Sequence, residues 1–176
     1  ELRDYDFKKN LEQKQQLCVE AESLDELPDV LSAFRRLQEL HQKWREIGPV
    51  AKELREEIWT RFKAASAVIN KKHQDHFDAL RGREKENEQA KTALCEEIEQ
   101  ISTEGVSTFN AWDALTKQII ALQERWRAIG PAARAVNNQL YERFRKKCDE
   151  FFEQKNEFFK HRKEEFAVNL QKKIAL

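Results

Sequence analysis

A six-residue block that occurs twice decides the fold of this chain. Residues 44–49 read Trp-Arg-Glu-Ile-Gly-Pro, and residues 126–131 read Trp-Arg-Ala-Ile-Gly-Pro, 82 positions later. An Arg-Phe pair follows each block at that same offset, as Arg61-Phe62 and Arg143-Phe144. Repetition at a fixed offset indicates copies of one supersecondary unit. The sequence therefore predicts a tandem repeat.

Each block is predicted to end one helix and turn the chain into the next. Glycine adopts the left-handed conformation past a helix end at little cost, and proline cannot continue the helical hydrogen bonding. We therefore expect one corner at Gly48-Pro49 and a second at Gly130-Pro131. Four large apolar residues are predicted to lock the helices that meet at these corners: Trp44, Ile47, Trp126 and Ile129.

The apolar residues before the second corner are three and four positions apart, which is the period of coiled-coil packing. They are Trp112, Leu115, Ile119, Leu122, Trp126 and Ile129. Between Ala51 and Ser102 only Gly82 weakens a helix, by about 1 kcal/mol relative to alanine. A single helix is therefore expected to connect a first repeat, residues 1–82, with a second, residues 83–176.

These patterns predict an all-α fold of elongated, tandem three-helix bundles that share a long connecting helix. The packing is expected to be coiled-coil-like, and the architecture resembles that of spectrin. A break at Gly82, which would give two bundles joined by a hinge, is the alternative.

The composition excludes several classes of protein. Charged residues make up 36% of the chain, against roughly 25% in an average globular domain. With 4 Gly and 3 Pro, an all-β domain or a glycine-rich nucleotide-binding fold is not expected. No 18-residue apolar run exists, so no membrane span is predicted. The 3 cysteines form no Cys-x-x-Cys pair, which favours a reducing, cytoplasmic setting. Since the chain begins without Met, we expect it to be part of a longer protein.

No pattern in the chain indicates catalysis. The phosphate-binding, metalloprotease and serine-hydrolase motifs are absent, so we expect no enzyme activity, no cofactor and no small-molecule substrate. His73 and His76 have a spacing that suits a metal ion. The second copy has Lys155 and Phe158 at those positions, so we expect no metal site.

Basic residues cluster around the second corner, although the net charge of the chain is zero. We expect some of them to converge as a candidate binding patch: Arg125, Arg127, Arg134, Arg143, Arg145, Lys146 and Lys147. This patch would contact RNA phosphates, an acidic protein surface, or solvent alone. Arg61 and Arg143 either pair with an acid inside the bundle or face a ligand.

The block Leu-x-x-x-Trp-Arg-x-Ile-Gly-Pro, with its downstream Arg-Phe, resembles a bacterial tandem-repeat family catalogued as domain of unknown function 349. The resemblance implies two copies of about 80 residues. The second copy departs from the first by Ala128 in place of Glu46 and Tyr141 in place of Trp59. The family supplies no activity, and its members often carry further copies.

The sequence favours a non-catalytic, cytoplasmic repeat module that acts as a protein-interaction scaffold or spacer within a longer bacterial protein. The expected partners are proteins or neighbouring repeats, and no membrane. The phenylalanines of the last helix are expected to pack partly against a next repeat. An RNA- or ribosome-associated module that uses the basic patch is the alternative.

Overall fold

A computed structural model describes residues 2–175, and the side chains of residues 3–174. The described residues form five α-helices and one short 3₁₀ turn, without a strand, and the all-α prediction is confirmed. The helices are α1 (Leu2–Ser23), α2 (Val30–Glu46), α3 (Lys52–Glu99), α4 (Phe109–Ala128) and α5 (Arg134–Ala175), and the 3₁₀ turn is Leu24–Glu26. No helix in the described part of the chain has an apolar stretch long enough to cross a membrane.

The helices that precede the corners begin at side-chain caps. The Asp29 carboxylate accepts a hydrogen bond from the Leu31 backbone N–H at 3.2 Å. The Thr108 hydroxyl accepts one from the Ala111 backbone N–H at 3.2 Å. Such caps satisfy N–H groups that have no partner inside the helix, and they fix where α2 and α4 start.

The chain divides into two compact units, Glu1–Leu80 and Arg81–Leu176. α3 is 48 residues long. It continues through Gly82 and contributes residues to both units. The first unit contains α1, α2 and the first part of α3, and the second contains the rest of α3 with α4 and α5.

Each unit has its own apolar core drawn from three helices. In the first unit the core residues are Leu17, Cys18, Ala21, Leu24, Ala33, Leu37, Leu40, Val50, Ile58, Phe62, Ala65 and Ile69. In the second they are Leu94, Cys95, Ile98, Trp112, Ile119, Leu122, Leu140, Phe144, Cys148 and Phe151. The apolar positions predicted for α4 all lie in or against the second core.

The predicted left-handed glycine at the corners is wrong. Among the described residues only Gly105 has a positive φ, at 76°. The chain leaves α2 and α4 through extended isoleucines, Ile47 with ψ 136° and Ile129 with ψ 132°. Proline disfavours the helical conformation in the glycine before it, so the helix does not continue through the Gly-Pro step. Neither corner glycine is left-handed.

Candidate functional site

An asparagine side chain holds each corner from a neighbouring helix. The Asn10 side-chain amide, on α1, donates a hydrogen bond to the Pro49 carbonyl oxygen at 2.8 Å. The Asn87 amide, on α3, donates in the same way to the Pro131 carbonyl oxygen at 2.9 Å. A carbonyl just past a helix end has no helical partner, so each asparagine satisfies an acceptor that the corner leaves open.

The same asparagines explain why glycine stands at both corners. A Cβ atom built on Gly48 would lie 2.8 Å from Asn10 Nδ2, and one on Gly130 would lie 2.9 Å from Asn87 Nδ2. Real Cβ atoms essentially never make such short contacts. Glycine is therefore favoured by the close approach of a side chain rather than by its own backbone angles, because a larger residue would have to displace the asparagine amide.

The tryptophan of each block stacks on the phenylalanine of the downstream Arg-Phe pair. The Trp44 and Phe62 ring centroids lie 4.4 Å apart with the planes at 16°, and Trp126 and Phe144 lie 4.6 Å apart at 15°. Phe62 and Phe144 are buried, whereas both tryptophans are half-buried. These stacked pairs lock each corner onto the helix that follows it, as the sequence predicts for the tryptophans.

A lysine lies over each tryptophan ring. Lys14 Nζ is 4.9 Å from the Trp44 ring centroid, and Lys91 Nζ is 5.1 Å from that of Trp126. Both distances are within the range of cation–π attraction. Burial lowers the pKa of both lysines. Lys91 also donates to Asn137 Oδ1 at 2.7 Å.

The recurring arginines pair with acids inside their own units. Arg61 donates to the Glu22 carboxylate from Nε at 3.0 Å and from Nη2 at 2.6 Å. Arg143 donates to the Glu99 carboxylate from the same two nitrogens, with Nε at 3.0 Å. The Arg143 guanidinium lowers the pKa of Glu99. Of the two roles predicted for these arginines, the structure shows the pairing with an acid.

The contacts to each corner and to the helix that follows it come from one helical stripe that the sequence reasoning missed. Its members are four residues apart and therefore share a helix face. They are Asn10, Lys14, Cys18 and Glu22 on α1, and Asn87, Lys91, Cys95 and Glu99 on α3. The signal was present, because the offset of 77 that relates the two cysteines also relates the other three pairs.

The cysteines and His73 are packed inside the units, whereas His76 is exposed. Cys18, Cys95 and Cys148 are buried and unpaired, and burial raises the pKa of each thiol. The His73 ring stacks on Phe34 with centroids 3.7 Å apart. In the part of the chain that the structure describes, no group of three His, Cys, Asp or Glu side chains is arranged to hold a metal ion.

Four members of the basic patch have acidic neighbours. The pairs are Arg125 with Glu97 at 3.0 Å, Arg143 with Glu99, Arg145 with Asp149 at 3.6 Å and Lys147 with Glu150 at 3.3 Å. Among the described residues, Arg127, Arg134 and Lys146 have no acid within 4.0 Å, and all three are exposed.

The structure brings two members of the patch into one groove. Arg127 and Arg145 line an open groove of about 330 Å³, together with Trp126 and Tyr141. Arg125 lines a different groove, against α3. Arg143, Arg145 and Lys146 line a further open groove. None of these three grooves contains all seven basic residues, and the role of the patch in binding stays a prediction.

The comparisons identify one family. The family model described as Domain of Unknown Function (DUF349) matches residues 1–53, 57–135 and 139–176, which is most of the chain. No curated protein and no solved structure matches this sequence.

The predicted count of two copies is corrected to three matches. The second match begins in α3, just past the first corner, and ends past the second corner. The third begins 82 residues after the second, in α5. The family unit therefore starts inside a long helix. Since α3 contributes to both compact units, the boundaries of the family matches differ from those of the compact units.

Proposed function

This chain belongs to the family Domain of Unknown Function (DUF349), and we propose that it is a non-catalytic repeat module that acts as a protein-interaction scaffold or spacer. In this proposal it works in the cytoplasm of a bacterium, within a longer protein, and its partners are proteins or neighbouring repeats. The observation that carries the proposal is the same corner, built twice, with an exposed aromatic ring beside it each time.

The recurring polar side chains are engaged within each unit. The asparagines bind the proline carbonyls, the lysines lie over tryptophans and the arginines pair with glutamates. Cys18 and Cys95 direct their Sγ atoms at the Ile58 and Leu140 carbonyl oxygens, at 3.7 and 3.5 Å. Because these side chains hold the backbone of each unit in place, they support a role in which the module presents a defined surface to a partner.

Equivalent aromatic side chains remain exposed beside both corners. Trp59 is 42% exposed and Tyr141 is 47% exposed, and each lies near the stacked tryptophan of its unit. Tryptophan, tyrosine and arginine are enriched among the residues that dominate binding energy in protein interfaces. These two rings are therefore the contact points proposed for a protein partner.

The scaffold proposal is tested with the intact chain in two assays. Light scattering over a concentration series measures self-association, and the immobilised chain captures partners from a bacterial extract for identification by mass spectrometry. Trp59→Ser with Tyr141→Ser should weaken the binding found in either assay. Thr60→Ala with Glu142→Ala, at adjacent exposed positions, is the matched control. A monomer that captures nothing, or capture that both double variants leave unchanged, would refute the proposal.

RNA binding is the second candidate, and the groove at Arg127 and Arg145 favours it. Two guanidinium groups lie there beside Trp126 and Tyr141, and Asp149, which pairs with Arg145, lines the same groove. Guanidinium groups bind phosphates, and aromatic faces stack on bases. In this alternative the groove would take single-stranded RNA.

The alternative is tested by titrating labelled single- and double-stranded RNA with the chain at several salt concentrations. Binding should fall steeply with salt because counterions are released. Arg127→Glu with Arg145→Glu should abolish it. The matched control is Arg45→Glu with Lys63→Glu, at the equivalent positions of the first unit. Affinity that is indifferent to salt, or is reduced equally by both double variants, would exclude this groove as the RNA site.

A further inference from the structure

The last turns of α5 repeat the sequence of α1. Residues 7–17 read Phe-Lys-Lys-Asn-Leu-Glu-Gln-Lys-Gln-Gln-Leu, and residues 166–176 read Phe-Ala-Val-Asn-Leu-Gln-Lys-Lys-Ile-Ala-Leu. The two segments are identical at the Phe, the Asn, both Leu and one Lys. The pairs are Phe7/Phe166, Asn10/Asn169, Leu11/Leu170, Lys14/Lys173 and Leu17/Leu176. Asn87 and Lys91 repeat the asparagine–lysine pair on α3.

On α1, the residues of this pattern contact the first corner. Phe7 and Asn10 line one groove together with Ile47 and Gly48 of the corner, and Asn10 donates to the corner carbonyl. Leu11 packs against the apolar core. The asparagine and lysine on α3 contact the second corner in the same way.

On α5 the same side chains lie open. Phe166 is 71% exposed and Leu170 is 49% exposed. Ile174, which stands where α1 has Gln15, is 76% exposed. Asn169 and Lys173 are exposed too, and within the described residues neither makes a side-chain hydrogen bond or ion pair. Exposed apolar side chains clustered on one helix mark an interaction surface.

We infer that the segment from Phe166 to Ile174 is the docking surface for a third Trp-Arg-x-Ile-Gly-Pro corner. Asn169 would donate to the proline carbonyl of that corner, and Lys173 would lie over its tryptophan. Phe166 and Leu170 would be buried against the incoming helices. The third family match, residues 139–176, covers this segment and supports the assignment.

The occupant is a further repeat of the same polypeptide. At both occupied sites the corner glycine follows the lysine in the same chain, 34 residues after Lys14 and 39 after Lys91. A second copy of this chain is a poor occupant because its corners already bind its own Asn10 and Asn87. The inference deepens the proposed scaffold role by naming the partner of one surface.

The test extends the intact chain by a second copy of residues 95–176, placed directly after Leu176. The register continues because Leu94 and Leu176 are equivalent. Hydrogen exchange of residues 159–174 is then compared between the chain and its extended form. Docking should slow this exchange by at least about tenfold. In the extended form Asn169→Ala should raise it again by about fivefold, as expected when a carbonyl loses its hydrogen-bond donor.

Gln171→Ala is the matched control, because the equivalent residues, Glu12 and Gln89, are exposed. In the extended form, Gln171→Ala should change the exchange rate of residues 159–174 by less than about twofold. In the unextended chain, Asn169→Ala should leave this rate unchanged. Unchanged exchange on extension, or equal effects of the two variants, would overturn the inference. A dimer of the unextended chain that Asn169→Ala dissociates would replace the proposed occupant by a second copy. The exchange assay reads only this surface, so its failure would leave the partner-capture test of the scaffold role unaffected.

Discussion

The two corners use one set of contacts but differ in the residue that faces the lysine. In the second unit Asn137 accepts from Lys91 Nζ at 2.7 Å and from the Ala132 backbone N–H at 3.2 Å. In the first unit the equivalent residue is Arg55, and its charge adds to burial in lowering the pKa of Lys14. Both corners thus keep the asparagine, glycine and tryptophan contacts, although the lysine has a polar acceptor in one unit and a cation in the other.

A second difference lies deeper in the two cores. In the first unit Ser66 Oγ lies 3.1 Å from His41 Nε2. The equivalent residues of the second unit are Cys148 and Gln123. Only the first unit therefore has a histidine at this position.

The largest effect should come from removing the stacked tryptophans. Trp44→Ala and Trp126→Ala should each cost about 3 kcal/mol, the low end for a large aromatic because each ring is half-buried. Hydrogen exchange followed separately in residues 1–80 and 81–176 measures each loss. Since the stacking geometry is the same, the two losses should agree, and a difference of several-fold would mean that the corners are not equivalent.

Exchanging the residues that face the lysines should have opposite effects in the two units. Asn137→Arg removes two hydrogen bonds and places a cation beside Lys91, which should cost about 1–3 kcal/mol. Arg55→Asn relieves the repulsion of Lys14 and should stabilise the first unit by a smaller amount. Urea unfolding of both variants measures the changes. Destabilisation by Arg55→Asn would show that this arginine contributes through other contacts.

The close approach at the corners is tested by a double-mutant cycle. Gly48→Ala should cost about 1 kcal/mol because the new methyl group displaces the Asn10 amide from the Pro49 carbonyl. In an Asn10→Ala background the same substitution should cost nothing further, since no side chain remains in its way. Gly130 and Asn87 provide the same cycle in the second unit. Additive losses would refute the steric explanation.

Acid should weaken the first unit more than the second through His41. Burial, with a smaller contribution from Arg45, lowers the pKa of His41 below its ordinary value of 6.5. At pH values between that lowered pKa and about 6.5, the unfolded chain therefore binds more protons than the folded chain. The stability of the first unit falls as the pH drops through this range. His41→Gln introduces the residue of the second unit and should remove this dependence. The free energy of unfolding, measured for the chain and the variant at about pH 5 and pH 7, checks this prediction. It would be contradicted if the free energy of the variant fell as much as that of the unsubstituted chain.

The smallest effect should come from the exposed ion pairs. Glu22→Gln and Glu99→Gln should each cost about 0.5 kcal/mol, because the four side chains are 31–46% exposed to solvent and such pairs contribute little. The loss should shrink in high salt. A loss above about 2 kcal/mol in thermal unfolding would assign these pairs a larger role than their exposure allows.

Much of the fold follows from local patterns in the sequence. The period of the apolar residues predicts α4, and the absence of breakers predicts that α3 runs past Gly82. The pairing of Arg61 and Arg143 with acids was one of the two roles that the sequence left open. The basic patch was less predictable, because helix geometry places Arg127 with Arg145 but directs Arg125 to Glu97.

The amino-acid sequence by itself determined the helices, the repeat and the position of each corner, since these depend on residues near one another in the chain. Only the tertiary structure decided how a corner is held. Asn10 lies 39 residues from the carbonyl that it binds, and glycine is favoured at position 48 by that side chain rather than by a backbone angle. Contacts between distant residues depend on packing distances that local propensity does not specify.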